Sequence, residues 1–265
     1  MHKLSIRMKQ RSTQSEWLNA WNNIENYVSE SHIKRLTFNT VNELIISTTG
    51  KKVAYGWSGG KDSIVLQRIC ELAGVRRSVL FTTEIEYKDF NEYVAENAPE
   101  GLETINTGMG LEWLKKNQEN YLFPTEQKYV TNYYNLIQRK GLKKYFFDNN
   151  LDQIILGVRT MDGNHVPSKL MIDNDGYTRN AIIRDWTNEE ILAFLKYNRL
   201  ELPKIYFYKD GFREGTGPWS KLRRNKNRSL NDCWRYVYEY DPEAVVKASK
   251  YFESARTFLE GELSI

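Results

Sequence analysis

Six consecutive residues, Ser58-Gly59-Gly60-Lys61-Asp62-Ser63, have the types and spacing needed to hold a phosphate. Glycines without a Cβ let the backbone come close to an anion. They follow an apolar strand-like run, residues 53–57, and precede a helical pattern over 61–73 that ends at Gly74. A turn from strand into helix presents free backbone N–H groups and the positive end of the helix dipole, both of which favour an anion. Lys61 adds a cation, Ser58 and Ser63 add hydroxyl donors, and Asp62 is a carboxylate able to hold Mg²⁺. The spacing is not G-x-x-x-x-G-K-[ST], because Tyr55 stands where the first glycine belongs, and it is not G-x-G-x-x-G.

A second cluster lies far downstream. Lys221, Arg223, Arg224, Lys226 and Arg228 follow Gly215-Thr216-Gly217-Pro218-Trp219-Ser220. Such a run reads as a solvated basic face, as a flap over an anionic substrate, or as a nucleic-acid contact. Charge does not choose among these: Lys plus Arg number 38 against 34 for Asp plus Glu, a net of +4. Cys70 and Cys233 are the two cysteines, too few for a four-thiolate iron–sulfur cluster or zinc site within one chain and for a disulfide framework. Cys233 sits in the helix-like, aromatic setting Asp232-Cys233-Trp234-Arg235-Tyr236, as a buried cysteine would. His165 is a lone loop histidine, read as solvated.

The elements that must position these groups are those of one large domain with an appendage or two small domains, given 265 residues with 40% hydrophobic and 27% charged. Thr13 and Glu16 have capping-box spacing, and Trp17, Trp21, Ile24 and Val28 share a helical face. A second apolar set, Ile33 to Ile45, predicts one more helix or two short ones before Gly50. From residue 52, strands and helices alternate, the pattern of a parallel sheet with helices on both faces. The strands read at 53–57, 78–83, 102–106 and 153–158; the helices at 61–73, 89–97, 111–118 and 126–147, the last broken at Gly141. Asp173-Asn174-Asp175-Gly176 signals a hairpin turn, and Thr187 to Glu190 a capping box before an amphipathic helix that Pro203 closes. Residues 211–231 read as an exposed loop or flap, and a helix from Ala244 to Phe258 ends the chain. The division expected is 1–50 helical, 51–200 α/β, and 201–265 flap and helices. No run is long and apolar enough to span a membrane, and residues 1–9 carry charges where a signal peptide needs an apolar stretch, so the expected address is the cytoplasm.

The loop resembles the SGGxDS loop of the PP-loop ATP pyrophosphatases. Within them the chain is similar to the phosphoadenosine phosphosulfate (PAPS) reductase and ATP-sulfurylase small-subunit group, which also holds eukaryotic-type FAD synthetases. Gly157-Val158-Arg159, Ile182-Ile183-Arg184-Asp185-Trp186-Thr187 and Leu202-Pro203-Lys204-Ile205-Tyr206 with Gly211 follow in the group's order, so the resemblance covers roughly residues 50–224. It implies an open, mostly parallel, twisted sheet of the adenine nucleotide alpha hydrolase kind. It further implies a nucleotide-binding set of Ser58, Gly59, Gly60, Lys61, Asp62, Ser63, Thr82, Thr83 and Gly157, and Lys61, Asp62 and Arg159 as catalytic groups. Arg159 is either a clamp on an oxyanion or an ion pair at a strand end. Glu84 is read as a solvated charge, Asp185-Trp186 as structural, and Arg179, Arg184, Lys221 and Arg223 as candidate contacts to an anionic substrate.

The implied activity is Mg²⁺-dependent cleavage of ATP between its α and β phosphates, adenylating an oxyanion-bearing acceptor and releasing pyrophosphate, with Asp62 on the metal and no iron–sulfur cluster or zinc. Family reductases use a cysteine near the C-terminus, and residues 258–265 contain none. The alternatives are a sulfonucleotide reductase using Cys233, and a nucleotide- or nucleic-acid-binding module acting through the loop and residues 221–228. The expected partners are an adenine nucleotide and a small anionic substrate. The Trp17/Trp21 stripe serves a homodimer surface, a partner-subunit surface or a lid on the sheet equally well.

Overall fold

A computed structural model of the chain describes residues 12–163 and 165–263; the charged start at 1–9, Asn164 and the last two residues lie outside it. Thr13 caps α1 (Gln14–Asn22) through a reciprocal capping box with Glu16, and after a short 3₁₀ turn Ser29 caps α2 (Glu30–Thr48), one continuous helix. There follow β1 (Val53–Gly56), α3 (Lys61–Leu72), β2 (Ser78–Thr82), α4 (Lys88–Asn97), β3 (Glu103–Asn106), α5 (Leu111–Lys116), α6 (Gln118–Tyr121), α7 (Gln127–Tyr134), α8 (Lys140–Asp148) and β4 (Gln153–Ile155). The hairpin forms as the turn residues require, β5 (Leu170–Ile172) and β6 (Thr178–Asn180), with Gly176 at φ +83°. Then come α9 (Asn188–Tyr197), capped by Thr187 with Glu190, α10 (Gly211–Glu214), α11 (Leu230–Tyr240), α12 (Pro242–Ser249) and α13 (Glu253–Leu263).

The six strands form one sheet in the order β3-β2-β1-β4-β6-β5, parallel throughout except for β5 against β6. In β1, Ala54 and Tyr55 point to opposite faces and are both buried, as expected of a parallel sheet covered by helices on both sides. Helices α1, α2, α3 and α9 pack together, while α8 and the turn before it lie on β4 and β2. The chain leaves β1 for β2 on one side and meets β4 on the other. That reversal opens a crevice at the carboxyl end of β1, where open parallel sheets bind ligands.

Three elements differ from the sequence reading. The helical region 126–147 is not broken at Gly141: it runs through a π-helical turn, Asn135–Arg139, and Gly141 is where the helix touches the sheet. A Cβ there would stand 2.5 Å from the Phe81 ring. The segment 211–231 is not an exposed loop. It contains α10 and a 3₁₀ turn, Trp219–Lys221, and buries Phe212, Trp219 and Leu222. Trp219 and Phe123 both pack on Trp234, with ring centroids 5.5 and 4.6 Å away, which ties the flap to α11. The terminal helix is two helices, α12 and α13, packed with α11. No described helix is long and apolar enough to cross a membrane.

Candidate active site

The loop leaves β1 and turns through Gly59, whose φ of +62° lies in the left-handed region that favours glycine. Gly59 is also pressed on Phe90, where a Cβ would stand 2.6 Å from the ring. Gly60 is the N-cap of α3 and offers no side chain to the helix amides. The loop closes on itself through hydroxyls: Ser63 Oγ donates to the Gly60 carbonyl at 2.9 Å and receives the Ser58 N–H at 3.2 Å. The Lys61 N–H donates to Tyr206 Oη at 2.8 Å, and Thr216 Oγ1 donates to the Ser58 carbonyl at 3.0 Å. Among the described residues, the N–H groups of Gly60, Asp62 and Ser63 meet no acceptor.

Beneath the loop lies a charge network. Arg159 is fully buried; its Nε is 2.8 Å from Asp62 Oδ1, its Nη2 donates to Asp162 and Asn188 at 2.8 and 2.9 Å, and its Nη1 donates to the Trp186 carbonyl at 3.0 Å. Lys61 Nζ takes the other Asp62 oxygen at 2.6 Å and lies 5.8 Å from the centre of the Trp17 ring. Burial alone would raise the Asp62 pKa, but the charges of Arg159 and Lys61 outweigh it and hold the carboxyl below its ordinary range. Asp162 moves the other way, pushed up by burial and by the neighbouring Asp62 charge. Two cations therefore face two carboxylates, with Asp62 the firmly ionised one.

Above the loop is a cavity of about 630 Å³, large enough for a nucleotide-sized ligand. It is lined by Ser58, Gly60, Lys61 and Asp62 of the loop, by Leu80 and Phe81 of β2, and by Thr216, Gly217, Lys221 and Arg223 of the flap, which meets the loop where Thr216 bonds Ser58. A smaller cavity of about 170 Å³ adjoins it, between Ser63, Val79, Leu156 and Gly157. Gly157 lets β4 approach α3, since a Cβ there would lie 3.3 Å from the Asp62 carbonyl.

The structure thus brings together the loop, Gly157, Lys221 and Arg223. Arg159 reaches Asp62 but does not line the cavity: its two Nη atoms donate to Trp186, Asp162 and Asn188, and its Nε lies 2.8 Å from Asp62 Oδ1 without a hydrogen bond. Thr82 and Thr83, expected beside a base, line neither cavity. The Thr82 carbonyl accepts the Thr107 N–H at 2.9 Å, and Thr83 donates twice to Glu86 Oε1 at 2.8 Å, so Leu80 and Phe81 line the cavity instead. Arg179 pairs with Asp173 at 2.7 Å in the hairpin, and Arg184 donates to the Val166 carbonyl at 2.6 Å; neither lines the cavity. The sequence reading missed Tyr206, Thr216, Phe90 and Asp162 as site residues. Tyr206 was visible only as a member of a pattern, since nothing in linear spacing ties it to a loop 145 residues away.

The family model of the phosphoadenosine phosphosulfate reductase domain matches residues 52–220, a span that includes the loop, the strands and the first part of the flap, up to Ser220. The chain belongs to that family. Among solved structures similar to this family member is the PAPS reductase of Candida auris in a phosphate complex, 12% identical, covering 72% of this chain and 96% of its own with a TM-score of 0.51. Two others are the U34-tRNA thiolase NcsA of Methanococcus maripaludis with its [4Fe-4S] cluster and the NH3-dependent NAD synthetase of Campylobacter jejuni in complex with nitrate. The first is 14% identical, covering 100% of this chain and 90% of its own, and the second 18%, covering 85% and 96%, each with a TM-score of 0.47. At such identities the likeness is one of fold. Among curated proteins, none matches the chain significantly.

The expected cofactor set, ATP with Mg²⁺ and no iron–sulfur cluster, is corrected here. The solved thiolase carries a [4Fe-4S] cluster, against the expectation of none. The residues present also do not fit the Mg²⁺ role given to Asp62, whose two oxygens are turned to Arg159 and Lys61. No three His, Cys, Asp or Glu side chains converge as a metal site among the described residues, and no metal ligand is assigned to this family member.

Proposed function

We propose that the chain binds an adenine nucleotide with its phosphates on the 58–63 loop and cleaves it between the α and β phosphates, adenylating a small oxyanion-bearing acceptor. An acceptor oxygen bonds to the α-phosphorus, the bond from that phosphorus to the bridging oxygen breaks, and pyrophosphate leaves. The observation that carries this reading is the set of unengaged N–H groups of Gly60, Asp62 and Ser63, which stand at the head of the 12-residue α3 beside a cavity with Lys61 and Lys221 in its lining. Aligned N–H donors and fixed cations stabilise charge developing on a transferred phosphoryl group without reorganising during the step. Lys61 is held by Asp62, and Asp62 by Arg159, which keeps the loop charge in one arrangement. No step of this reading runs through a metal.

Sulfonucleotide reduction is the second reading, favoured by the family match. Against a reductase using Cys233 stands its burial in α11, which pushes the thiol up to about 12, although Arg228 and Arg224 pull it down. Nucleic-acid binding through residues 221–228 has less support, because Arg228 is paired with Asp210 and Glu214 while Arg223 and Arg224 donate to the carbonyls of Thr125 and Phe123.

The test is pyrophosphate release from ATP across sulfate, other oxyanions, flavin mononucleotide and nucleic acid, with and without divalent cations. Acceptor-dependent release, lost in a folded Asp62→Asn variant, is expected. Sulfite release from a sulfonucleotide with no pyrophosphate from ATP would overturn the reading in favour of the second.

A further inference from the structure

The flap side of the cavity carries a cation, Lys221, that makes no ion pair with a carboxylate among the described residues. Of the basic residues there, Arg213 and Arg228 both pair with Asp210 and Glu214, and Arg223 donates to Thr125 and Gln127. Lys221 differs. Among the described residues its ammonium group has neither a hydrogen-bond acceptor nor a carboxylate partner, yet it lines the cavity that also holds Ser58, Gly60 and Lys61. The depressed lysine pKa that burial produces, offset in part by Glu214, fits a charge lacking a counter-ion.

This placement is built, not incidental. The side chain of Lys221 lies over Gly217, where a Cβ would stand 2.4 Å from Nζ, 2.8 Å from Cε and 2.9 Å from Cδ. Gly217 is not among the positive-φ glycines, so its backbone tolerates a side chain and the room is used by Lys221. The turn that carries Lys221 is fixed from behind. Trp219 and Ser220 are buried, Ser220 Oγ is 2.7 Å from Tyr133 Oη, and the Ser220 carbonyl accepts the Phe123 N–H at 2.8 Å. A partly buried cation with no ion-pair partner among the described residues is stabilised when a ligand brings the opposite charge.

We propose that Lys221, seated on Gly217, is an anion subsite in the cavity it shares with the loop, and that it takes a tetrahedral oxyanion of the phosphate or sulfate class. The subsite rests on the nucleotide reading only for the source of that oxyanion, which is either the terminal phosphates of the nucleotide or the anionic acceptor.

Calorimetric titration of the full chain and of Lys221→Met, Gly217→Ala and Lys221→Arg with ATP, AMP and inorganic phosphate tests this. Lys221→Met keeps the stem and removes the charge, and is expected to weaken oxyanion binding about tenfold or more, the loss of one charge-assisted hydrogen bond. Gly217→Ala should do the same with the lysine still present, while Lys221→Arg keeps part of the affinity. A loss for ATP with AMP unchanged assigns the subsite to the nucleotide tail. A loss for inorganic phosphate in saturating AMP, with ATP unchanged, assigns it to the acceptor. If wild type binds phosphate through Lys221 but neither nucleotide, the subsite stands and the nucleotide reading fails. Binding of all three within about twofold of wild type by both Lys221→Met and Gly217→Ala overturns the subsite, and so does a wild type that binds none of them.

Discussion

Arg159 Nε lies 2.8 Å from Asp62 Oδ1, directly beneath the phosphate-type loop, and the guanidinium is fully buried. The pair makes the arginine a support for the loop. Removing the guanidinium leaves Asp62 with Lys61 alone and Asp162 without its close cation, so Arg159→Met is expected to destabilise the fold, by up to about 3–5 kcal/mol. Arg159→Lys should also destabilise, because an ammonium cannot serve Asp62, Asp162, Asn188 and the Trp186 carbonyl together. Denaturant unfolding measures both, and a loss below about 1 kcal/mol for Arg159→Met would remove the supporting role.

The same pair sets an acid dependence. The Asp62 pKa is lower in the folded protein than in the unfolded chain, so its contribution is complete above the ordinary aspartate value of about 4 and is lost as pH falls below it. The stability difference between wild type and Asp62→Asn should be large at neutral pH and shrink below about pH 4. Asp162, whose pKa is raised, acts in the opposite sense: its charge opposes folding at neutral pH and is relieved on protonation. Asp162→Asn should therefore be the milder substitution at pH 7. Parallel unfolding curves from pH 3 to 8 would show whether the two aspartates differ in this way.

Gly141 yields a packing prediction. A Cβ at 2.5 Å from the Phe81 ring forces a shift worth about 1–3 kcal/mol, more than the roughly 1 kcal/mol that alanine gains over glycine inside a helix. Gly141→Ala should thus destabilise and, because Phe81 lines the main cavity, weaken ligand binding there. Phe81→Leu added to Gly141→Ala should recover part of the lost stability. A Gly141→Ala protein more stable than wild type would mean that the helix shifts freely over the sheet.

Gly141 also shows where sequence stops being informative. The loop was legible because its chemistry is local: two glycines, a lysine and two serines at one strand-to-helix turn. The capping boxes at Thr13 and Thr187 and the hairpin at Gly176 were legible for the same reason. Gly141 was read as a helix break because a glycine that relieves a contact 60 residues distant in sequence looks like any other. The segment 211–231 looked exposed because its glycines and cations hide the periodicity of Phe212, Trp219 and Leu222, whose partners lie on distant elements. Tyr206 on the Lys61 amide and Asp162 beside Arg159 are likewise facts of tertiary structure, as is the absence of Thr82 and Thr83 from the cavity lining.

Lys221 gives a prediction on the alkaline side. Its folded pKa is depressed, so at neutral pH its charge opposes folding, and stability rises as pH passes the lowered pKa toward the ordinary lysine value of about 10.4. Lys221→Met lacks this rise. Without ligand it should be at least as stable as wild type at pH 7, with the gap narrowing toward pH 10, and phosphate should raise the melting temperature of wild type more than that of the variant. Equal phosphate stabilisation of the two would sink the assignment of the ammonium group.

Cys233 separates the two functional readings. It is fully buried in α11, and burial holds its thiol protonated at neutral pH. Its removal should matter to packing and not to adenylyl transfer. Cys233→Ala deletes one buried sulfur and is expected to lower stability by about 1–2 kcal/mol, with pyrophosphate release per folded molecule unchanged. A reductase that attacked its substrate through this sulfur would instead lose all thiol-dependent sulfite release in Cys233→Ala while binding the nucleotide as before. Alkylation gives the same answer without mutation: with the thiol inside the fold, a maleimide should react slowly in native conditions and quickly in denaturant. Rapid native labelling that abolishes turnover and is blocked by nucleotide would show that α11 opens to present Cys233, and would favour reduction over adenylation.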